Sequence, residues 1–272
     1  MSFIVHPELT TEANRTICFD GVSNASLHAD HCIAISEHTK RSYLHYFPHY
    51  PEDRITVAHL GTRPGIRRID DASALNKALK KFSLARDGYW LGVGTIEPRK
   101  NYRLLIDAYC ALNNGRPLVI AGGKGWLESD IGDKIRSLGM EDRIRFLGYV
   151  TDDELSALYS TCFAFVYPSL YEGFGLPVLE AMSCGAAVIT SGTSSLPEVG
   201  GDAVLFIDPR STNSLIDKMR ILTEQEHVLK DLRAKSRIQA DRFSWEKTAN
   251  AVLSVYDRVF HANGISHSGS LR

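Results

Sequence analysis

Two rhythms of apolar and polar positions divide the chain. Between residues 89 and 207, short apolar-rich runs recur at 89–93, 118–121, 144–147, 163–167, 187–190 and 204–207, several of them continuous. Runs of four or five apolar residues with no polar alternation are the pattern of strands covered on both faces. Helical spacing fills the intervals. In 101–112, Leu104, Leu105 and Ala108 share a face, and 129–138 carries a weaker pattern. In 152–160 the run follows Thr151 as N-cap, with Glu154 at the capping-box position. The segment 177–184 opens on a proline and stops before Gly185. This strand–helix alternation predicts an α/β fold built on a doubly wound parallel sheet, with ligands at the carboxyl ends of the strands.

The flanks read differently. Residues 214–260 are expected to be helical, with Leu215, Met219 and Leu222 on one apolar stripe. Trp245, Ala249, Leu253 and Tyr256 make a second stripe, and a polar tail follows from Ala262. Near the start, the pattern predicts a strand at 32–36, a helix at 37–46, a strand at 56–60 and a linker at 62–76. No order is assigned before Cys32.

Composition narrows the function classes. The 272 residues carry a formal charge of −1, with 44% hydrophobic and 23% charged positions. That balance argues against nucleic acid as a partner and against disorder of the whole chain. No apolar run reaches the roughly 20 residues that cross a bilayer, and residues 1–9 lack the pattern of a signal peptide. The five cysteines include no CxxC pair, so reduced, buried thiols and a cytoplasmic location are expected. HExxH, Asp-X-Asp, GxGxxG, GxSxG and a Walker loop are all absent, and no metal site is expected; His28, His31, His38, His45 and His49 cluster without ligand spacing.

Candidate chemistry sits in the loops after the predicted strands. Glu180 lies in an almost wholly apolar helix, where an unpaired carboxylate is costly, so it needs a partner: a protein group, or a pair of ligand hydroxyls. Glu172 precedes it in a loop with Gly173, Phe174 and Gly175, whose amides, with that of Leu176, open a helix N-terminus that suits phosphate. Gly94, Thr95, Arg99 and Lys100 follow the first buried strand; the two cations belong either to a solvated loop or to a diphosphate grip. Gly122-Gly-Lys-Gly125 is either a plain turn or a place where backbone meets ligand. After the third strand, Gly148, Tyr149 and Val150 either pack on the next helix or border a nucleobase.

Together these residues resemble the retaining GT-B glycosyltransferases of family four. The resemblance runs from about His31 to Phe260. Its centre is Glu172-Gly-Phe-Gly-Leu-Pro-Val-Leu-Glu180, two glutamates separated by seven residues, accompanied by Gly94-Thr-Ile-Glu-Pro-Arg-Lys-Asn101, Ala121-Gly-Gly, Phe146-Leu-Gly-Tyr-Val150 and Ser195-Leu-Pro-Glu-Val-Gly200. The resemblance implies transfer of a hexosyl unit from a nucleotide-diphosphate sugar to a glycan or lipid-linked acceptor, without a metal or other cofactor. It implies that Glu172 holds donor-sugar hydroxyls and Glu180 the ribose hydroxyls. Lys100, helped by Arg99 and the amides of Phe174, Gly175 and Leu176, would stabilise the leaving diphosphate, and Tyr149 and Val150 would border the base. The Gly94–Asn101 variant leans toward mannosyltransferases and GDP-mannose, and lipid-linked acceptors are compatible with peripheral association at the inner face of a membrane. Thr95 stands where many relatives have arginine. The expected division is a partial acceptor-side domain and linker at 1–86, a donor-binding domain at 87–260 and a flexible tail at 261–272. Two further readings accompany the enzyme: a nucleotide-sugar-binding fragment without transfer activity, and a nucleotide-sugar epimerase.

Overall fold

Each of these runs becomes a strand, and the inner ones expose neither face to water. The computed structural model describes residues 1–112, 114–123 and 131–262. The first elements are α1 (Ser2–Val5), α2 (Glu12–His28), β1 (Cys32–Ala34), α3 (Glu37–Tyr46) and β2 (Ile55–Val57). Then come α4 (Ala72–Lys81), β3 (Trp90–Val93), α5 (Tyr102–Leu112), β4 (Leu118–Ala121), α6 (Ile131–Ser137), β5 (Ile144–Gly148) and α7 (Asp152–Thr161). The chain continues with β6 (Ala164–Tyr167), α8 (Leu176–Ser183), β7 (Val188–Ser191), α9 (Leu196–Gly200), β8 (Val204–Ile207), α10 (Thr212–Glu224), α11 (Glu226–Ala240) and α12 (Trp245–Ala262).

Six strands form one parallel sheet in the order β5-β4-β3-β6-β7-β8. The four inner strands, β3, β4, β6 and β7, are buried at every position, which is why they read as unbroken apolar runs. The chain builds outward from β3 to β5, then returns to the other side of β3 with β6. The sheet therefore reverses direction between β3 and β6, and the loops after those two strands flank the crevice where doubly wound sheets take their ligands. Trp90 on β3 meets Phe163 edge-on with ring centroids 4.9 Å apart, and Leu105, Ile106, Leu215, Met219 and Leu222 close the core from the helices. The predicted capping box holds: the Glu154 amide donates to Thr151 Oγ1 at 3.3 Å, and the Thr151 amide to Glu154 Oε2 at 3.1 Å.

The chain divides into two compact units, Thr62–Arg242 and a second made of Met1–Gly61 with the residues from Phe243 on. This differs from the expected boundaries at 86 and 260. Residues 62–71 are not a loose linker but an extended strap on α7: the Arg67 amide donates to Ser156 Oγ at 3.3 Å and the Ile69 amide to Ser160 Oγ at 3.1 Å. The expected linker also overlaps α4, which Asp71 caps. At the other end α12 packs on β2, its Thr248 hydroxyl donating to the carbonyl of His59. A β-carbon on Gly61 would lie 2.5 Å from the Trp245 amide nitrogen, so glycine is needed where the helix begins.

In the smaller unit β1 and β2 pair in parallel, Cys32 opposite Ile55 and Ala34 opposite Val57. Tyr43, Phe47, Tyr50 and Ile55 form its core. The stretch before Cys32, unassigned from sequence, contains α2, capped by Thr11. His31 lies outside that helix, so it shares no helix face with His28; its Nε2 is 2.9 Å from Thr56 Oγ1. The stripe expected on α12 points outward: Trp245, Leu253 and Tyr256 are exposed, and Val255 is the buried residue. Thr248, Val252, Val255 and Val259 have helical spacing too, and this β-branched face is the more buried one. Cys162 and Cys184 are buried as expected, but Cys18 is exposed on α2. Among the described residues no helix is long and apolar enough to cross a membrane.

Candidate functional site

The loop after β3 folds back as a 3-10 turn, Pro98–Lys100, and delivers two cations into the crevice. Asn101 ends the turn in the left-handed conformation, φ 59°, a state asparagine tolerates better than most residues. Its Nδ2 donates to the carbonyls of Pro168 at 3.1 Å and Pro209 at 2.8 Å. The Arg99 carbonyl accepts from the Leu170 amide at 2.8 Å and from Ser169 Oγ at 3.0 Å. These bonds zip the loop after β3 to the loop after β6, and so bring Arg99, Lys100 and Glu172 together from positions about 70 residues apart.

Glu172 is the centre of this cluster. Its Oε1 accepts from Lys100 Nζ at 2.8 Å, Tyr167 Oη at 2.7 Å and Ser169 Oγ at 2.6 Å. Its Oε2 lies 2.7 Å from Arg99 Nη1. Lys100 Nζ also donates to Tyr167 Oη, and Arg99 Nη2 to Glu97 Oε1 at 2.5 Å. Burial alone would push the Glu172 carboxyl up, but the charges of Lys100 and Arg99 and their hydrogen bonds override it and hold it down to about 2. Burial pulls Lys100 down against the pull of Glu172. The Arg99 guanidinium, which burial would lower, is raised by Glu172 and Glu97. The cluster is thus two cations matched by two buried carboxylates, Glu97 and Glu172, and not a solvated charged loop. Among the described residues Lys100 donates to two acceptors, which leaves one of its three N–H groups for a further one.

The segment carrying Glu172 is itself braced. Ser195 Oγ donates to the carbonyls of Glu172 at 3.0 Å and Phe174 at 2.8 Å, and Ser194 Oγ receives the Glu172 amide at 3.0 Å. Gly175 then caps α8 at φ 109°, where a side chain would be strained. Gly175 and Leu176 follow at the N-terminus of α8, with Gly173 and Phe174 just ahead of them.

Glu180 lies one turn from the end of α8, 3% exposed, and its partner is a protein group. Arg63 Nε donates to Oε1 at 2.7 Å and Nη2 to Oε2 at 3.3 Å. Arg63 Nη1 reaches Asp152 Oδ1 at 3.2 Å, and Tyr159 Oη donates to Glu180 Oε2 at 3.4 Å. Burial raises the Glu180 carboxyl despite the opposing pull of Arg63. The hydrogen bond to Glu180 in turn raises Arg63.

The glycines after β3 and β4 serve the backbone first. A β-carbon on Gly122 would sit 2.1 Å from the carbonyl oxygen of Gly94, and Gly122 has φ 147°. Among the described residues nothing lies within 4 Å of a β-carbon placed on Gly123. Lys124 and Gly125, the rest of that motif, lie outside the described residues. A β-bulge after Ile120 pairs Ala121 with Gly148, and next to it Tyr149 stands 86% exposed, followed by half-buried Val150. Exposed Tyr149 is therefore not buried against the following helix; in sequence both residues stand just ahead of Asp152, whose carboxylate meets Arg63. Thr95 is half-buried at the mouth of the β3 loop. Glu97, Tyr167, Ser169, Arg63 and Asp152 were not singled out from sequence. The first three had a legible signal, since each lies just after a buried strand, at the sheet edge where ligands bind.

The chain is similar to several known proteins. O-antigen chain mannosyltransferase B from Escherichia coli is 37% identical over 228 residues, which is 82% of this chain and 59% of that protein. The serotype-specific mannosyltransferase WbdA of E. coli is 33% identical over 89% of this chain and 30% of its own length. This chain thus spans less than two thirds of each of these relatives. Among solved structures, sucrose-phosphate synthase from Thermosynechococcus elongatus matches with a TM-score of 0.79 at 23% identity, over 96% of this chain and 67% of that one. Anabaena HepE, in complex with UDP and glucose, matches with a TM-score of 0.77 at 20% identity, over 98% of this chain and 70% of that one. The α/β fold of GT-B type expected from the resemblance is the fold observed. The family model of the glycosyl transferases group 1 matches residues 77–243, most of the larger unit and more than half of the chain, and the chain belongs to that family.

Proposed function

We propose that this chain forms the donor-binding part of a retaining hexosyltransferase, which moves a sugar from a nucleotide diphosphate to a glycan or glycolipid acceptor. The observation that carries the reading is the buried Glu172–Lys100–Arg99 cluster at the reversal point of the sheet, beside the N-terminus of α8. Ion pairs this deep are costly to assemble, and a site that must stabilise a departing diphosphate gives a reason to hold cations in place before the substrate arrives. In this reading the remaining N–H of Lys100 and the amides of Phe174, Gly175 and Leu176 meet the phosphates, while Arg99 reinforces the field. Glu172 orients both cations and meets the donor-sugar hydroxyls through Oε2, the oxygen with the fewer partners. Glu180 takes the ribose hydroxyls, and Tyr149 and Val150 border the base. The anomeric carbon gains oxocarbenium character as the diphosphate departs, and a donor phosphate oxygen takes the acceptor proton on the same face, so configuration is retained. Glu172 and Glu180 are therefore anchors, not the acid and nucleophile of a glycoside hydrolase.

The mannosyltransferase relatives favour GDP-mannose as donor. The span of 59% of mannosyltransferase B favours a second reading, in which the chain binds the donor and transfers only together with further polypeptide. Calorimetric titration with GDP-mannose and with UDP-, ADP- and dTDP-sugars tests both. Binding of GDP-mannose, weakened by Glu180→Ala, is expected. Absence of binding by every donor, with no effect of Glu180→Ala, overturns the donor-site reading. Mannose transfer to a mannose-terminated glycan then separates the enzyme from the binder.

A further inference from the structure

Arg63 lies outside the strand–loop–helix units that build the site, on the strap that runs along α7. Its backbone is fixed. Pro64 restricts the residue before it, the Ile66 amide closes a turn onto the Arg63 carbonyl at 2.9 Å, and the strap is held at Arg67 and Ile69 by Ser156 and Ser160. A β-carbon on Gly65 would lie 2.7 Å from Asp152 Oδ2 and 3.1 Å from its Cβ, so the strap passes close to the start of α7. What remains free to rotate is the side chain. Its guanidinium spans two carboxylates at once: Glu180, buried on α8, and Asp152, half-buried at the start of α7.

Nε and Nη2 of Arg63 present two parallel N–H donors, one to each oxygen of Glu180. The two neighbouring hydroxyls of a ribose present two O–H donors at similar spacing. Both cannot hold the same carboxylate. We infer that Arg63 is a built-in competitor of the nucleotide's ribose diol for Glu180, with Asp152 as the second seat to which its guanidinium shifts when the diol binds; this rests on the donor-site reading above. Asp152 is already in contact, so the exchange keeps the arginine paired throughout. The apparent affinity for a nucleoside diphosphate is lowered by the fraction of molecules in which Arg63 covers Glu180. Arg63 and Asp152 thereby set donor affinity without touching the reacting atoms.

The test is titration calorimetry of the full chain with GDP and with 2′,3′-dideoxy-GDP, for wild type, Arg63→Gln, Arg63→Lys, Asp152→Asn and the Arg63→Gln/Asp152→Asn double variant. Urea midpoints verify that each folds. Hydrogen bonds to a charged group correspond to about a tenfold to hundredfold effect. Arg63→Gln is expected to tighten GDP binding by about tenfold or more and to leave the dideoxy nucleotide unchanged. Arg63→Lys, which keeps the charge but loses the two-pronged contact, should tighten it less; this variant carries the test if the glutamine variant does not fold. Asp152→Asn should weaken GDP binding in the wild-type background and have no effect in the Arg63→Gln background. Unchanged or weaker GDP binding in both Arg63 variants overturns the inference, as does an equal change for GDP and the dideoxy nucleotide. If GDP binds the wild type and Glu180→Ala weakens it, such a result leaves the donor site standing. If GDP binds none of the proteins, the donor-site reading falls and the inference falls with it.

Discussion

Replacing Glu172 with glutamine keeps the shape of the side chain and removes the charge that holds the cation cluster together. The structure supplies two routes to the magnitude. A carboxyl held at about 2 against an ordinary 4.5 carries about 3 kcal/mol of folding free energy at neutral pH, at about 1.4 kcal/mol per tenfold change in its acid constant. Independently, removing one partner of a buried ion pair costs about 3–5 kcal/mol, because the cations left behind are desolvated and unmatched; here Glu97 retains Arg99 and places the cost at the lower end. Both routes give about 3 kcal/mol, or roughly 6–12 °C in Tm for a unit of this size. The sign with pH is fixed by the depressed value. The stabilisation is complete above the unfolded carboxyl's 4.5 and drains away as pH falls toward about 2. Urea denaturation of wild type and Glu172→Gln at pH 7, 4 and 2.5 should therefore show a gap that narrows with acid. A gap below about 0.5 kcal/mol at pH 7, or one that stays constant down to pH 2.5, would refute the account of Glu172 as the ionised centre of the cluster.

Glu180→Gln should show the opposite trend. Burial raises that carboxyl, so its protonated form favours folding below 4.5, and the benefit is lost as pH rises through its folded value; the variant's stability relative to wild type should improve between pH 4 and pH 7, measured by the same urea titrations. Gly122→Ala should cost about 2 kcal/mol or more, because the new methyl meets the Gly94 backbone at a positive φ, whereas Gly123→Ala should stay within about 0.5 kcal/mol; thermal melts of the pair decide it.

The four inner strands of the large sheet were legible because burial on both faces leaves a simple trace in sequence, a run such as Leu118–Ala121 with no polar interruption; the edge strands β5 and β8, only partly buried, leave a weaker one. Thr151 and Glu154 were legible because a capping box is local. The loop residues Arg99, Lys100 and Glu172 were legible as candidates by position, but their mutual neutralisation was not. That depends on Asn101 and Leu170 zipping two loops together across about 70 residues. Arg63 was invisible for the same reason: nothing near it in sequence announces a carboxylate 117 positions away. Helix α2 escaped because Ile17, Phe19 and Leu27 are exposed, so its apolar residues trace no stripe; only the Thr11 cap marked it. The face of α12 was misassigned because its apolar residues fit two stripes, and spacing does not rank them.

The Asn101 amide has a consequence for how such a protein diversifies. One side chain cross-links the segments after β3, β6 and β8, so the cation-bearing turn, the Tyr167–Ser169 corner and the Pro209 bend behave as a single mechanical part. In the donor-site reading, a change that suits one of them to a new sugar is transmitted to the other two and pulls the proposed phosphate contacts out of register. In that reading, freedom to evolve a different donor is displaced to the rim, to side chains such as exposed Tyr149 and half-buried Thr95. A laboratory effort to redirect the donor would spend its substitutions there and leave the pin alone.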